Sequence, residues 1–552
     1  MRNITTHSPN GPGSTPPPRG EPGAAPRVFG WRALVVGWAT ASTALLAMAT
    51  PTDIGSRREL FVDDALIQRL DGGAQLRLHS PVPREVVLVR DAPWEGAGSG
   101  YTSVFHDGMR YRMYYKAWQR LVGPGAPNTD GNPLLCAYAE SDDGIHWRKP
   151  ELGLHAFNGS TANNIVIASG VIGDVTIDAG HPAVFKDGNP AAPADARYKA
   201  VVVAKPAPGK TGPQGLVFLK SPDGLRWSLL TPRPVITDGA FDSQNLAFWD
   251  AERGVYRAYW RYFDRGTPDQ PYVGVRGIRT AISRDLIHWE QQANLDFGSA
   301  PAIQLYTNQV QPYGRAPHLF VGMPLRYIDR GWSEEMRALP DREHREWRAA
   351  QSQYTAQSQR LGTALSDALF MAGRDGVAFK RWSGAFLRPG PERPGTWSYG
   401  QQCVAWQVVT TAGSMPGESD ELSLYADEAY WTGAPGSSVR RYTLRLDGFV
   451  SLHAAEPGGE LVTKPVRFTG RRLSLNASTS AAGSVQVELQ DAAGRPLPGY
   501  ALADSEPWFG DTADRAVRWR ERGSDVSPLA GQVVRLRFVL SDADLYSYQF
   551  QP

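Results

Sequence analysis

Five short stretches of the chain gather residue types that handle sugars. The first holds Trp94, Glu95, Ser99 and Tyr101, and the second Asp174, Asp178 and His181. The third holds Asp238, Asp242, Ser243, Gln244 and Asn245. The fourth holds Tyr306, Asn308, Gln309 and His318, and the fifth Trp397, Tyr399, Gln401 and Gln402. Carboxylates exchange protons, amides bond hydroxyls, and aromatic rings stack on the flat face of a sugar. Downstream of four stretches stands a basic residue: Lys116, Lys205, Arg261 and Arg326. The fifth has Asp427 and Glu428 instead. Such a rim suits an anionic sugar, uronic or sulfated. It would equally serve to neutralise the nearby carboxylates. Substrate contacts are expected from Trp94, Tyr101, Lys116, His181, Asn245, Arg261, Asn308, His318 and Arg326.

A repeat must position these residues. Ser283-Arg284-Asp285-Leu286-Ile287-His288-Trp289 has two clear copies, Ser141 to Trp147 and Ser221 to Trp227, and a degenerate one from Gly373 to Trp382. An apolar pair begins at Val104, Val184 and Ala247, and the following Trp comes 43, 43 and 42 residues later. In the fourth unit the offset from Leu319 to Trp382 is 63, which implies an insertion near Ser333 to Arg360. Each unit reads as four short antiparallel strands, with Asp-Gly turns and aromatic or β-branched runs. About 42 residues per four strands is the mark of a β-propeller blade. In the Ser-x-Asp turn, short side chains bond their own backbone and the Trp packs between blades. That role is structural. Gln402 to Thr410 and Glu421 to Trp431 supply two strands of a fifth unit, and Arg58 to Ile67 is expected to close it. Five blades are expected, with six as the other reading.

The fold class is therefore all-β, a five-bladed propeller over residues 57–436 followed by a C-terminal β-sandwich over 437–552, where alternating strands lack the repeat marker. Residues 1–50 read as a disordered Pro-, Gly- and Ser-rich lead and an apolar run, Ala33 to Ala49, ending Ala47-Met48-Ala49. That is the pattern of a signal peptide, or else of an N-terminal membrane anchor; both imply export. A formal net charge of +2 gives no field for binding nucleic acid, and neither a P-loop nor a dinucleotide fingerprint occurs. The two cysteines, Cys136 and Cys403, form no metal-binding cluster; they either pair across the ring closure or stay buried thiols. No cofactor or metal is expected. The charged segment Ser333 to Arg360 is the one helical candidate, broken by Pro340, with its charges on a solvated face.

Ser283 to Trp289 resembles the S-x-D-L-x-x-W motif of five-bladed glycoside hydrolases, the arabinosidase/xylosidase-like and invertase-like families. Asp178 to Asp187 is similar to their second-blade D-P-x-V-F segment, with a shift that puts His181 directly before Pro182. Arg58 to Ile67 and Arg440 to Leu452 resemble a group of exported bacterial proteins related to these hydrolases. The resemblance implies three carboxylates, one each from the first three blades. Hydrolysis needs a protonated and an ionised carboxyl flanking the bond, and a third charge can separate their pKa values. The positions that answer are Asp178 in the second blade, Asp242 in place of a Glu in the third, Glu95 as the nearest acid in the first, and Glu428 at the fifth. Asp63 and Asp64 are more distant candidates. Because the triad departs from its usual form, a non-catalytic carbohydrate-binding propeller is the alternative. A lyase using His181 or Tyr101 as base, and a sialidase-like enzyme, are further readings.

Overall fold

The computed structural model describes residues 50–119, 132–351, 360–432 and 436–552. Five antiparallel units of four or five strands follow one another along the chain. The first is built from Gly100–His106, Tyr111–Ala117 and Leu135–Ser141, with Trp147–Arg148 and Ile165–Ala168 outside them. The second runs from Val175–Lys186 through Tyr198–Pro206 and Gly215–Ser221 to Ser228–Leu229. The third is Leu246–Asp250, Val255–Phe263, Arg276–Ser283 and Trp289–Asn294. The fourth is Gln311–Tyr313, Ala316–Gly322, Met371–Gly373 and Phe379–Arg381, and it carries the extra hairpin Leu325–Asp329 with Ala364–Ala368. The fifth is Val409–Thr411, Glu421–Glu428 and Ser437–Arg445. This is the five-bladed propeller that the repeat predicts.

The closing strand differs from expectation. Val82–Arg90 pairs antiparallel with Ser437–Arg445 and completes the fifth blade. Arg58–Leu60, expected in that place, pairs instead with the long strand Val533–Gln551 of the C-terminal sheet. Val82–Arg90 is exposed or half-buried except at Leu88 and Arg90, and its outer half carries the charges Arg84 and Glu85, as an edge strand does. Arg58–Leu60 is buried at every position, its two charges paired with Asp447 and Arg374, which suits an inner strand of the C-terminal sheet. Ser437–Arg445 thus belongs to the propeller, beyond the boundary at 436. Inside the ring the first and fifth blades also meet directly: Val104 donates to Trp406 O at 2.9 Å, and Trp406 to Thr102 O at 2.7 Å.

Each Ser-x-Asp turn is a set of local bonds. Ser141 Oγ accepts from Gly144 N at 2.9 Å, and Asp143 Oδ1 accepts from Ile145 and His146 N at 2.8 Å. Ser221 with Asp223 and Ser283 with Asp285 repeat this. The turn carbonyls then take a phenol from the preceding blade, Tyr425 on Gly144 at 2.6 Å, Tyr114 on Gly224 at 3.1 Å and Tyr259 on Gly376 at 2.8 Å. The motif tryptophans pack across the same joints, Trp147 edge-on to Tyr425 and Trp289 stacked on Phe218. The turn is therefore a fastener between blades.

Beyond residue 446 six strands join four from Thr52–Gly55, Arg58–Leu60, Ile67–Gly72 and Gln75–Leu78 in a ten-stranded sheet system centred on Val533–Gln551, which pairs along most of its length with Arg472–Gln490. Both Cys136 and Cys403 are buried free thiols. The insertion is helical at Glu334–Ala338 and Arg342–Gln351 and interrupted at Leu339 and Pro340. Contrary to expectation, its charges are not all solvated: Arg345 and Arg348 are buried, and Arg345 Nη2 donates to Leu339 O at 2.5 Å. Arg345 thereby caps the helix break.

The C-terminal sheet meets the ring through a buried ion cluster. Glu59 is fully buried, with Arg57 Nε at 2.9 Å, Arg374 Nη1 at 3.0 Å and His318 Nε2 at 3.3 Å. Burial pushes this carboxyl up, but His318, Arg374 and Arg57 together hold it down at about 2. A depressed carboxyl stabilises the fold above its unfolded pKa and loses that contribution as pH falls through its folded one. Between about pH 4.5 and 2 wild type should therefore lose on the order of 3 kcal/mol that Glu59→Gln does not lose. Urea unfolding at stepped pH values reads the difference; parallel curves would refute the assignment.

Candidate functional site

All five blades contribute to one mouth of the ring, floored by tyrosines. Tyr101, Tyr306, Tyr327, Tyr399 and Tyr430 line a small cavity together with Asp427, Cys403 and Gly400. Tyr306 Oη sits 3.0 Å from Tyr101 Oη and accepts from Tyr399 Oη at 3.0 Å, so three phenols form a line. Gly400, at φ +74°, lets the backbone pass against Tyr430; a Cβ there would fall 2.2 Å from that ring. Three lead-in residues, Tyr101, Gln309 and Gln402, are also left-handed without being glycine. Such backbone costs about 1–3 kcal/mol each and persists only where surrounding bonds enforce it.

Amides supply those bonds. Gln244 Nε2 reaches Pro182 O at 2.9 Å and the backbone of Tyr101 and Thr102, while Gln309 Nε2 reaches Gln244 Oε1 and Val404 O at 2.8 Å. The two glutamines tie all five blades together beneath the mouth. Asn245 and Asn308, expected to contact substrate, are buried in the same layer. Asn245 Nδ2 donates to Phe241 O and Ser243 O, and Asn308 Oδ1 accepts from Val310 N. Their polar groups hold the lead-in loops.

Asp178 and His181 reach the mouth because the strand Val175–Lys186 breaks register between Asp178 and Ala183. A bulge of this kind re-aims side chains. Asp178 Oδ2 lies 3.4 Å from His181 Nδ1, and its Oδ1 accepts from Gly180 N at 2.6 Å. The His181 ring packs at 5.0 Å from that of Tyr101. Lys116 Nζ stands 4.7 Å from the Tyr101 centroid and donates to Tyr430 Oη at 3.0 Å. Trp118 flanks the same ammonium and, with Trp431 and Tyr399, extends the aromatic floor. On the opposite side Arg261 holds Asp242 and covers the Tyr306 ring at 5.0 Å.

Electrostatics separate these groups. Burial raises Asp178, but His181 and Lys116 outweigh it and keep its carboxyl below the usual range. Burial lowers His181 despite Asp178, and Lys116 and Arg261 add to the effect, so the imidazole is neutral near pH 7. Burial would raise the Tyr306 phenol, yet Arg261, its two phenol neighbours and Arg276 bring it below the ordinary tyrosine value. Asp427 is pushed up by burial even though Arg90 and Lys116 oppose it. Lys116 is brought down by burial to about 7, with Asp178 and Asp427 opposing. Its ammonium should titrate near pH 7 rather than 10.5, a shift that lysine-specific NMR across about pH 5–11 would detect. A midpoint above about 9.5 would mean that water reaches it.

Other expected site residues lie outside this arrangement. Glu95 is fully buried, accepting from Tyr115 Oη at 2.6 Å and pairing with Lys149 at 2.6 Å. Glu428 is 3 % exposed and is held by Arg393 and by Arg440 at 2.8 Å. Neither carboxylate is open to a ligand, since each neutralises a neighbouring cation. His318 faces the C-terminal sheet at Glu59. Arg326 gives its fork to Asp367 at 2.8 and 2.5 Å. Trp94 donates to Asn164 Oδ1 at 2.8 Å and packs against Phe157. Asp63 and Asp64 pair with Arg374 and Lys380. Of the expected residues, the mouth brings together Tyr101, Lys116, Asp178, His181, Arg261 and Asp242. It adds Tyr327, Tyr430 and Arg276, which had no local signal because each sits inside an ordinary strand or turn.

No family model and no curated protein matches the chain. Among solved structures, similarities include Zg3597, a family 117 glycoside hydrolase produced by the marine bacterium Zobellia galactanivorans. It is 12 % identical at TM-score 0.35, covering 67 % of this chain and 90 % of its own. An N-acetylgalactosamine deacetylase from F. plautii in complex with blood group B trisaccharide is 13 % identical at TM-score 0.38, covering 67 % and 94 %. The Bombyx mori GH32 beta-fructofuranosidase BmSUC1 is 10 % identical at TM-score 0.34, covering 86 % and 94 %.

Proposed function

We propose that the protein is an enzyme that hydrolyses glycosidic bonds of an oligosaccharide or polysaccharide, with Asp178 and Asp242 as its carboxylate pair. One observation carries the reading. Of the four candidate acids, only these two are open to a ligand, and they stand on neighbouring blades around the tyrosine floor, with side chains 35 % and 54 % exposed. Asp178, kept ionised by His181 and Lys116, suits the group that takes a proton from water or attacks the sugar. Asp242 approaches from the other flank as the second carboxylate; to give a proton to the leaving oxygen it must leave Arg261, which holds it in the free protein. The phenols and Trp431 offer hydrogen bonds and a stacking face. Loss of turnover with retained saccharide binding in Asp242→Asn would support the role; unchanged turnover would remove Asp242 from the reaction.

A second reading is elimination from a uronic acid. It is favoured by the neutral His181 packed on Tyr101, with the phenol line running to Tyr306 beside Arg261. Elimination leaves an unsaturated sugar that absorbs in the ultraviolet; hydrolysis does not. We also propose export. The signal for it, residues 1–50, lies almost wholly outside the described residues, and the mature N-terminus read by mass spectrometry would test cleavage after Ala49.

A further inference from the structure

Beside the carboxylates, the outer wall of the mouth carries guanidinium groups that the fold buries without enough acceptors. Arg261 ends a strand of the third blade with its side chain 3 % exposed. One nitrogen holds Asp242, while its Nε and Nη1 are buried and meet no acceptor among the described residues. Arg276, on the adjacent strand, is also buried. Its Nη1 donates to Gln304 Oε1 at 2.8 Å, and its Nε has no acceptor among the described residues. Arg360, at the start of Arg360–Thr363 in the fourth-blade insertion, brings a third guanidinium whose Nε likewise meets no acceptor among the described residues. All three line one cleft of about 1160 Å³, in the size range of ligand sites or somewhat above.

The charge in that cleft is not balanced. Four arginines, Arg261, Arg265, Arg276 and Arg360, face two aspartates, Asp242 and Asp269. Burial and the like charges of Arg261 and Arg360 lower Arg276. A buried N–H without an acceptor bears its desolvation penalty uncompensated. An oxyanion with several acceptor oxygens relieves that cost at more than one nitrogen, and the guanidinium fork matches carboxylate and sulfate geometry. The Tyr306 ring beneath Arg261 and Arg276, at 5.0 and 5.7 Å, keeps the two guanidinium groups in place. Tyr272, 51 % exposed at the rim, leaves a ring free for the sugar itself.

We infer that Arg261, Arg276 and Arg360 form a subsite for the negatively charged substituent, carboxylate or sulfate, of an acidic sugar. The inference rests on the mouth being a saccharide site and names the class of sugar it takes. Calorimetry on the whole protein would compare methyl glucuronide with its uncharged methyl ester, and methyl galactoside 6-sulfate with methyl galactoside. At least one charged probe should bind tenfold or more tighter than its uncharged twin. Preference in the first pair identifies a carboxylate site, and preference in the second a sulfate site. Arg276→Gln should abolish the preference, and Arg276→Lys should retain part of it. Should Arg276→Gln unfold, Arg360→Gln, on a half-buried residue of the insertion, should reduce the same preference. Equal binding within both pairs would overturn the inference, as would a preference that survives both glutamine variants. The hydrolase reading fails separately: absence of turnover with the charge preference intact removes hydrolysis and leaves the subsite.

Discussion

Asp178→Asn is expected to lower the rate of glycoside cleavage by about 100- to 10,000-fold, the usual contribution of a positioned acid or base. The amide keeps the shape of the carboxylate and its place on the second-blade bulge, so saccharide affinity should change little. The loss should appear in kcat and in kcat/KM to a similar degree, because the missing interaction belongs to the transition state. Removal of the carboxylate also frees His181 from its negative neighbour, 3.4 Å away. Lys116 loses one of the two charges that oppose its burial, so its titration should fall below about 7. Steady-state kinetics and the lysine NMR signal would report the two effects in one variant. Full activity with a shifted lysine would place Asp178 in the electrostatics of the site and outside the chemistry.

Arg90→Met should cost about 3–5 kcal/mol of stability, the range for leaving a buried charge without its partner. Arg90 ends the strand that closes the ring and is fully buried. It donates to Asp427 Oδ1 at 2.8 Å, Ser99 O at 3.2 Å, Thr102 Oγ1 at 2.5 Å and Ser437 Oγ at 3.3 Å. One guanidinium thus joins the fifth blade to the first and fixes Asp427 at the tyrosine cavity. Asp427, already pushed up by burial, would take a proton in the variant, which limits the loss at acid pH. Arg90→Met combined with Asp427→Leu should recover part of it, since both charges then go. Thermal unfolding of the two single variants and the double variant measures the coupling. A sum equal to the parts would mean that the pair holds nothing together.

The blades were legible in the sequence because each is fastened by short-range chemistry. Ser141, Asp143 and Gly144 make their bonds within a few residues, so the motif carries its own reason. Ring closure was not legible, because Val82–Arg90 and Arg58–Leu60 compete for distant partners and only the finished sheets decide between them. The site divides in the same way. Asp178 and His181 stand on the bulge of Val175–Lys186 and Asp242 in the loop before Leu246–Asp250, where polar residues ahead of an apolar run mark the mouth. Glu95 stands in the loop before Gly100–His106 and Glu428 at the end of Glu421–Glu428, yet Lys149 and Arg440 come from 54 and 12 residues away to bury them. Arg276 and Arg360 lie 84 residues apart and meet only because the insertion of the fourth blade folds back over the third.

The most direct test is cleavage of a panel of neutral, uronic and sulfated polysaccharides in ¹⁸O-labelled water. Hydrolysis at the mouth predicts products whose new reducing ends carry the label and show no ultraviolet absorbance, and loss of both cleavage and label in Asp178→Asn. Unlabelled products that absorb in the ultraviolet, or saccharide binding without any cleavage, would contradict it.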